Sequence, residues 1–373
     1  MPRRFLVFIC FQVVLLSLGD ALAQDLEVRV LLERVSHEVY FEIGEGHQGY
    51  ADGRLLFDTP LGIGWPIEAR AGRLLVNGAL IGSSFMLAPR SAEVAWAGGV
   101  YRGALRFVAA GDELLIVNVV DLEEYLRGVV PAEIPAAWPV EALKAQAVAS
   151  RTYLITYLDP RSRYDICATV ECQMYSGTSA EHRRSDRAIA ETAGLVLTYG
   201  GDFAQTYYHS DSGGALASSA EVWGTALPYL ASRADVVSST PHRRWREAID
   251  PQQVARALST LGYHVGSVRA LRVTAFSDSG RALRAEVMGS AGRVSLTGSP
   301  LTSLLRESGL KSTRFTMVGD LVAQGDGWGH GVGMSQYGAK ALADSGYLFD
   351  QILYFYYPDT LLQRLATSSG ERP

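Results

Sequence analysis

The chain has 373 residues, enough for two domains, and 48% hydrophobic content with 10% aromatics supports packed cores and excludes a disordered protein. A net charge of −5 without any long basic block excludes a nucleic-acid backbone as partner. Thirty-eight glycines and eighteen tyrosines point to many turns and to stacking surfaces of the kind sugar-binding clefts use.

Arg3 and Arg4 precede an apolar run from Phe5 to Leu18 and then Ala21-Leu22-Ala23, the layout of a cleavable secretory signal over residues 1–23. An uncleaved anchor is the alternative reading. The run is short for a bilayer span, and no later stretch is long and apolar enough to cross a membrane. We therefore expect an exported protein of the periplasm or cell wall, with no membrane span after signal cleavage. Cys10 would leave with the signal, and Cys167 and Cys172 would be the remaining thiols.

Residues 24–118 read as a β-rich region. Short runs such as VRVLLERV, RLLVNGALI and ELLIVNVV are separated by Gly, Asp and Asn, with turns at Asn77-Gly78 and Gly111-Asp112. No catalytic constellation lies there. A mixed unit follows over 119–362, with a tail from 363 to 373 expected to be disordered. Its informative stretch is YLRGVVPAEIPAAWPVEALKAQAVASRTYLITY, Tyr125 to Tyr157. This reads as an apolar run broken by Pro131, Pro135 and Pro139, then a helix opening at Pro139. Glu133 lies in the break, so we place it on an irregular turn between a strand and a helix, where rigid elements can aim a carboxylate. Leu143, Ala147, Ser150, Leu154 and Leu158 form the expected core stripe. Lys144 and Arg151 lie at its edge, able to orient Glu133 or bind a polar ligand, with a solvated flank as the alternative.

Further on, Ala188, Ile189 and Thr192 suggest a short helix before a strand at Leu195–Tyr199. Gln205–Tyr208 reads as a strand ending on the loop His209-Ser210-Asp211-Ser212-Gly213-Gly214, which gathers an imidazole, hydroxyls and glycines. A polar turn is the plainer reading. A helix over Asp250–Leu261 and alternating runs after it suggest a β-meander insert over about 250–318, carrying structure rather than chemistry. Then comes GDGWGHGVGMSQ, Gly325 to Gln336, whose alternating glycines at 327, 329, 331 and 333 let the backbone approach something closely. A dinucleotide-binding loop is the runner-up reading, which their spacing and late position argue against. A helix from Met334 to Ser345 and the aromatic run Tyr354 to Tyr357 close the chain. The expected class is α+β, with a β-rich N-terminal part and a mixed catalytic core interrupted by the meander.

Three stretches together, the PAE turn with its helix, YHSDSGG, and GWGHGVGMSQYGAKALADSG followed by ILYFYYPDT, resemble the SpoIID/LytB family of stage II sporulation protein D and the amidase enhancer LytB. The resemblance spans about Asp121 to Thr360. It implies a protein acting on peptidoglycan glycan strands, as a lytic transglycosylase cutting between N-acetylmuramic acid and N-acetylglucosamine. Glu133 matches the family's catalytic acid. No cofactor is implied. Lys144, His209, Ser212 and Tyr337 fall on family positions and are candidates for substrate binding, with His330 structural or at the cleft rim. The other family role is a non-catalytic amidase enhancer, with a cell-wall amidase as partner.

One carboxyl group suffices for transglycosylation, since it protonates the leaving oxygen and then deprotonates the sugar's own 6-hydroxyl, so no second carboxylate need activate water. Burial should raise the pKa of Glu133, and a nearby Lys144 would oppose this. The chain departs from the family at its cysteines. Some members hold zinc there with nearby histidines, but here Glu171 stands before the second cysteine and Arg161–Asp165 offers none. Cys167 and Cys172 are expected to form a disulfide rather than a metal site, with His182 the remaining candidate ligand.

Overall fold

Alternating apolar residues in Glu27–Val35 put Val28 and Val30 into the core, while Glu27, Glu33 and Arg34 face outward. In the computed structural model, which describes residues 26–42, 46–58, 64–236 and 239–365, this strand lies near one edge of a seven-stranded sheet. The order across the sheet is Ile166–Cys167, Glu27–Val35, Glu113–Asp121, Ala104–Ala110, Ser84–Pro89, His47–Ala51 and Arg54–Asp58. Every pairing is antiparallel except the short parallel edge at Ile166–Cys167. A second sheet, Val39–Glu42, Gly64–Arg70, Arg73–Val76 and Ala79–Gly82, packs on it through Phe41, Ile67, Leu74, Phe85, Phe107 and Ile116. Asn77 and Gly78 take positive φ of 49° and 76°, as the expected hairpin turn requires. The signal segment and Cys10 lie outside the described residues.

The expected boundary at 118 falls inside the strand Glu113–Asp121, which leads directly into the next unit. Asp121 caps helix α1, Leu122–Glu133, by accepting from the amides of Glu123 and Glu124 at 2.9 and 3.2 Å. The stretch around Glu133 is therefore helical and not a strand followed by a turn. Pro131 sits in the last helical turn, where it costs one backbone bond and the chain needs only two more residues of helix. Pro139 is the residue before α2, Val140–Ile155. This helix is buried almost all round rather than along one stripe, because α1, α3 (Arg183–Glu191), the helices Gln336–Asp344 and Phe349–Tyr356 and strand Leu195–Tyr199 surround it.

The insert has its own core. Helices Pro251–Thr260 and Gly298–Glu307 pack on the meander Val268–Phe276, Ala282–Gly289, Gly292–Thr297. Its apolar cluster runs from Trp245 to Ala323, wider than the expected 250–318, because Trp245–Ala248, Phe315–Gly319 and Val322–Gly325 form a further sheet of that core. The chain closes with Leu361–Arg364 pairing antiparallel to Leu195–Thr198. The tail expected from 363 thus begins within a strand, and residues beyond 365 lie outside those described.

Candidate functional site

Glu133 ends α1 and is followed by a link that Pro135 and Pro139 stiffen. The link is also clamped from outside, since Arg184 on α3 donates to the carbonyls of Ala136 and Trp138 at 2.9 and 2.8 Å. The carboxyl group is held by two donors. The Met174 amide donates to Oε1 at 2.8 Å and the Gln336 side chain to Oε2 at 3.3 Å.

Behind these donors runs a ladder of buried polar groups. Gln336 Nε2 also donates to Gln146 Oε1 at 3.4 Å, and Gln146 Nε2 donates to Ser150 Oγ at 3.0 Å. Gln173 donates to the Ser150 carbonyl at 3.1 Å and accepts from the Tyr125 hydroxyl at 3.0 Å. Gln146, Ser150 and Gln173 are fully buried. Ser150 thus serves this ladder and not a purely apolar stripe. Burial raises the pKa of Glu133 above its usual value, against the lowering effect of the Met174 amide, Gln336 and the nearby Tyr208 hydroxyl. The Tyr208 hydroxyl is itself buried without a hydrogen-bond partner in good geometry.

Lys144 takes no part in this balance. It bridges Glu141 at 3.0 Å and Glu191 at 2.7 Å on the flank facing α3, and has no ion pair or hydrogen bond with Glu133. Arg151 is also elsewhere engaged, with no side-chain exposure, a bidentate pair to Glu123 at 2.8 and 2.6 Å and a bond to the Leu195 carbonyl at 3.1 Å. Both cations are structural in these contacts.

The glycine block meets the His209 loop, and strands Tyr208–His209 and Met334–Ser335 pair in parallel. Trp328 and Asp211 exchange backbone bonds at 2.8 and 3.0 Å. Gly331 and Gly333 have φ of 85° and 72°, and a Cβ there would come within 2.2 Å of the Arg281 guanidinium and 2.0 Å of the Tyr207 carbonyl. What the glycines approach closely is therefore the protein itself. Arg281, sent in by the insert and only 2% exposed, donates to the Ser212 carbonyl at 3.0 Å. The insert thus supplies a buried side chain to this junction.

His209 and Ser212 are buried rather than presented. His209 Nδ1 bonds the Val332 carbonyl at 3.1 Å, its ring lies 5.4 Å from that of His330, and burial pushes its pKa well below 6.5. Ser212 donates to Asp235 at 2.6 Å, and Asp235 accepts from Tyr356 at 2.8 Å. His330 accepts from the Val332 amide at 3.1 Å, and burial followed by the Arg281 charge pushes its pKa down to about 4. Tyr337 is partly exposed and belongs to a row of rings. It packs on Trp138 at 5.0 Å and His242 at 5.3 Å, and His242 packs on Trp328, 48% exposed, at 4.7 Å. A second group joins Tyr207, Trp223 and His330, at 4.4 and 5.1 Å.

The structure thus brings Tyr208, Gln336 and Met174 to Glu133, with His209 and Tyr337 each one residue removed from a neighbour of the carboxyl. Sequence reading missed Gln336, Met174, Gln173 and Trp138. Glutamine and a backbone amide carry no pattern of their own, although Trp138 stood inside the proline-framed stretch. Cys167 and Cys172 form a disulfide, and His182 instead caps α3 by accepting from the Arg184 amide at 3.2 Å.

These features define an α+β protein whose candidate reactive group is one partly buried glutamate, held by donors from two distant parts of the chain. Residues 110–199 match the stage II sporulation protein family model, and residues 229–333 match a domain of unknown function. The chain is 31% identical over 266 residues to stage II sporulation protein D of Bacillus subtilis (strain 168), covering 65% of this chain and 75% of that protein. It is 32% identical over 288 residues to the amidase enhancer of the same organism, covering 64% of this chain but 40% of that protein. An uncharacterized protein of Brachyspira hyodysenteriae is 29% identical over 263 residues, covering 69% of this chain and 70% of that protein. The chain belongs to the SpoIID/LytB family.

Proposed function

We propose that this protein is exported and cleaves peptidoglycan glycan strands as a lytic transglycosylase, with Glu133 as acid and then base. The observation that carries the reading is a carboxyl group whose pKa is raised by burial while Met174 and Gln336 hold both its oxygens in place. Protonated Glu133 gives its proton to the glycosidic oxygen as the bond to the anomeric carbon breaks. The resulting carboxylate takes the proton of the muramic acid 6-hydroxyl, whose oxygen closes on the anomeric carbon. Atoms balance without water, and one carboxyl group performs both transfers. The Trp138, Tyr337, His242 and Trp328 row offers apolar faces for sugar rings beside it. His209 and Ser212 act by holding the loop that carries Tyr208, and Lys144 by pinning α2 to α3.

The test is incubation with purified glycan strands and mass analysis of the products. Strands ending in 1,6-anhydromuramic acid should form with the wild type and not with Glu133→Gln.

A second reading is favoured by the same two hydrogen bonds, which also suit a carboxylate kept for structure, and by the likeness to an amidase enhancer. In it the protein grips glycan through the ring row and stimulates a cell-wall amidase. Absence of anhydro ends together with sedimentation on cell wall that Trp328→Ala abolishes would favour this second reading.

A further inference from the structure

A cavity of about 350 Å³ opens between the seven-stranded sheet and the 160–163 loop, lined by Arg29, Arg106, Arg161 and Arg163 with Ser83 and Ser84, and by no carboxylate side chain. Two of these arginines are spent on the fold. Arg29 makes a bidentate pair with Asp165 and bonds the carbonyls of Ser162 and Asp159 at 2.5 and 2.6 Å, which straps the loop over the sheet. Arg161 pairs with Asp159 at 3.1 Å. The guanidiniums of Arg106, from the strand Ala104–Ala110, and Arg163, from the loop, have no hydrogen bond or ion pair among the described residues.

Two unpaired guanidiniums lining one concave space offer charged donors that a single anion can bridge. Guanidinium forks match the paired oxygens of a carboxylate or a phosphate, which a chloride ion or a neutral sugar lacks. Asp52 and Glu27 line the adjoining groove, which shares Arg29, Arg106, Ser83 and Ser84, and Asp52 already accepts from both serines, so the donors left for an anion are the guanidiniums of Arg106 and Arg163. We propose that this cavity is an oxyanion-binding site that receives one carboxylate or phosphate group between Arg106 and Arg163, independently of the Glu133 chemistry.

The test is titration of the 15N-labelled full chain with inorganic phosphate and, separately, with N-acetylglutamate, followed by NMR. The expected result is saturable shifts at the Ser83, Ser84 and Arg163 amides that weaken with added sodium chloride. Arg106→Ala and Arg163→Ala should each reduce affinity at least tenfold, while Arg106→Lys retains part of it and leaves the thermal midpoint unchanged. Saturation by one probe alone supports the site and assigns the group it takes. No saturable shift with either probe, or shifts unaltered in both alanine variants, overturns the proposal.

Discussion

Gln336 donates to Glu133 across 203 residues of sequence, at 3.3 Å, and the same amide nitrogen reaches Gln146 on the central helix at 3.4 Å. The candidate acid is therefore positioned by the far end of the chain, through a ladder in which every rung is a buried amide or hydroxyl.

Replacing Gln336 by Met keeps its bulk but removes both bonds. Removing one partner of a buried hydrogen bond costs about 1–3 kcal/mol, so the variant should lose about that much stability by urea unfolding. It also removes one of the donors that lower the Glu133 pKa. The basic limb of the pH–rate profile should move to higher pH, and an unmoved limb would rule out this coupling.

The pH dependence of the proposed activity follows from the raised pKa of Glu133. The protonated acid is required, so the rate should fall as pH rises through the folded-state value, and Glu133→Gln should reduce it by about 10²–10⁴. The sign for stability is the same. Glu133 contributes fully below its ordinary 4.5, and that contribution is lost as pH rises through the raised value. Glu133→Gln should therefore gain thermal stability relative to wild type at pH 7, and the gain should disappear near pH 4.

His209 and His330 have depressed values, and His330 falls to about 4. Below the ordinary 6.5 the unfolded chain binds protons that the folded one refuses, so stability should fall as pH drops from 6.5 towards 4. In a His330→Phe variant, thermal midpoints over this window should slope less steeply; parallel curves would remove His330 from the account.

Arg151 and Glu123 lock α2 to α1, whose last residue is Glu133. Removing one partner of a buried pair leaves the other charge uncompensated, so Arg151→Ala should cost about 3–5 kcal/mol by urea unfolding. The double change Arg151→Leu with Glu123→Leu should recover part of this loss.

The Cys167–Cys172 disulfide closes a small loop immediately before Gln173 and Met174, which serve the ladder and Glu133. For a loop this short, reduction should cost about 2 kcal/mol by chain-entropy reasoning. It should also speed hydrogen exchange at the Met174 amide; unchanged exchange there would show that the loop is held by other contacts.

Features that depend on near neighbours were legible along the chain. Strand alternation, the Asn77-Gly78 turn, the helix after Pro139 and the special backbone of the glycine block each rest on residues within a few positions of one another. Glu133 stood out for the same reason, as a carboxylate framed by prolines. Its helical setting was not legible, because the prolines spoke for a break while the Asp121 cap and the packing of Tyr125, Leu126, Val129 and Val130 decided for helix. The partners of buried polar groups were left to the tertiary structure. Lys144 and Arg151 were drawn to Glu191 and Glu123, His209 and Ser212 turned inward, and Met174 and Gln336 arrived at the carboxyl group. A buried donor or acceptor must be satisfied by whatever the fold brings within about 3 Å, and separation along the chain places no limit on which residue that is.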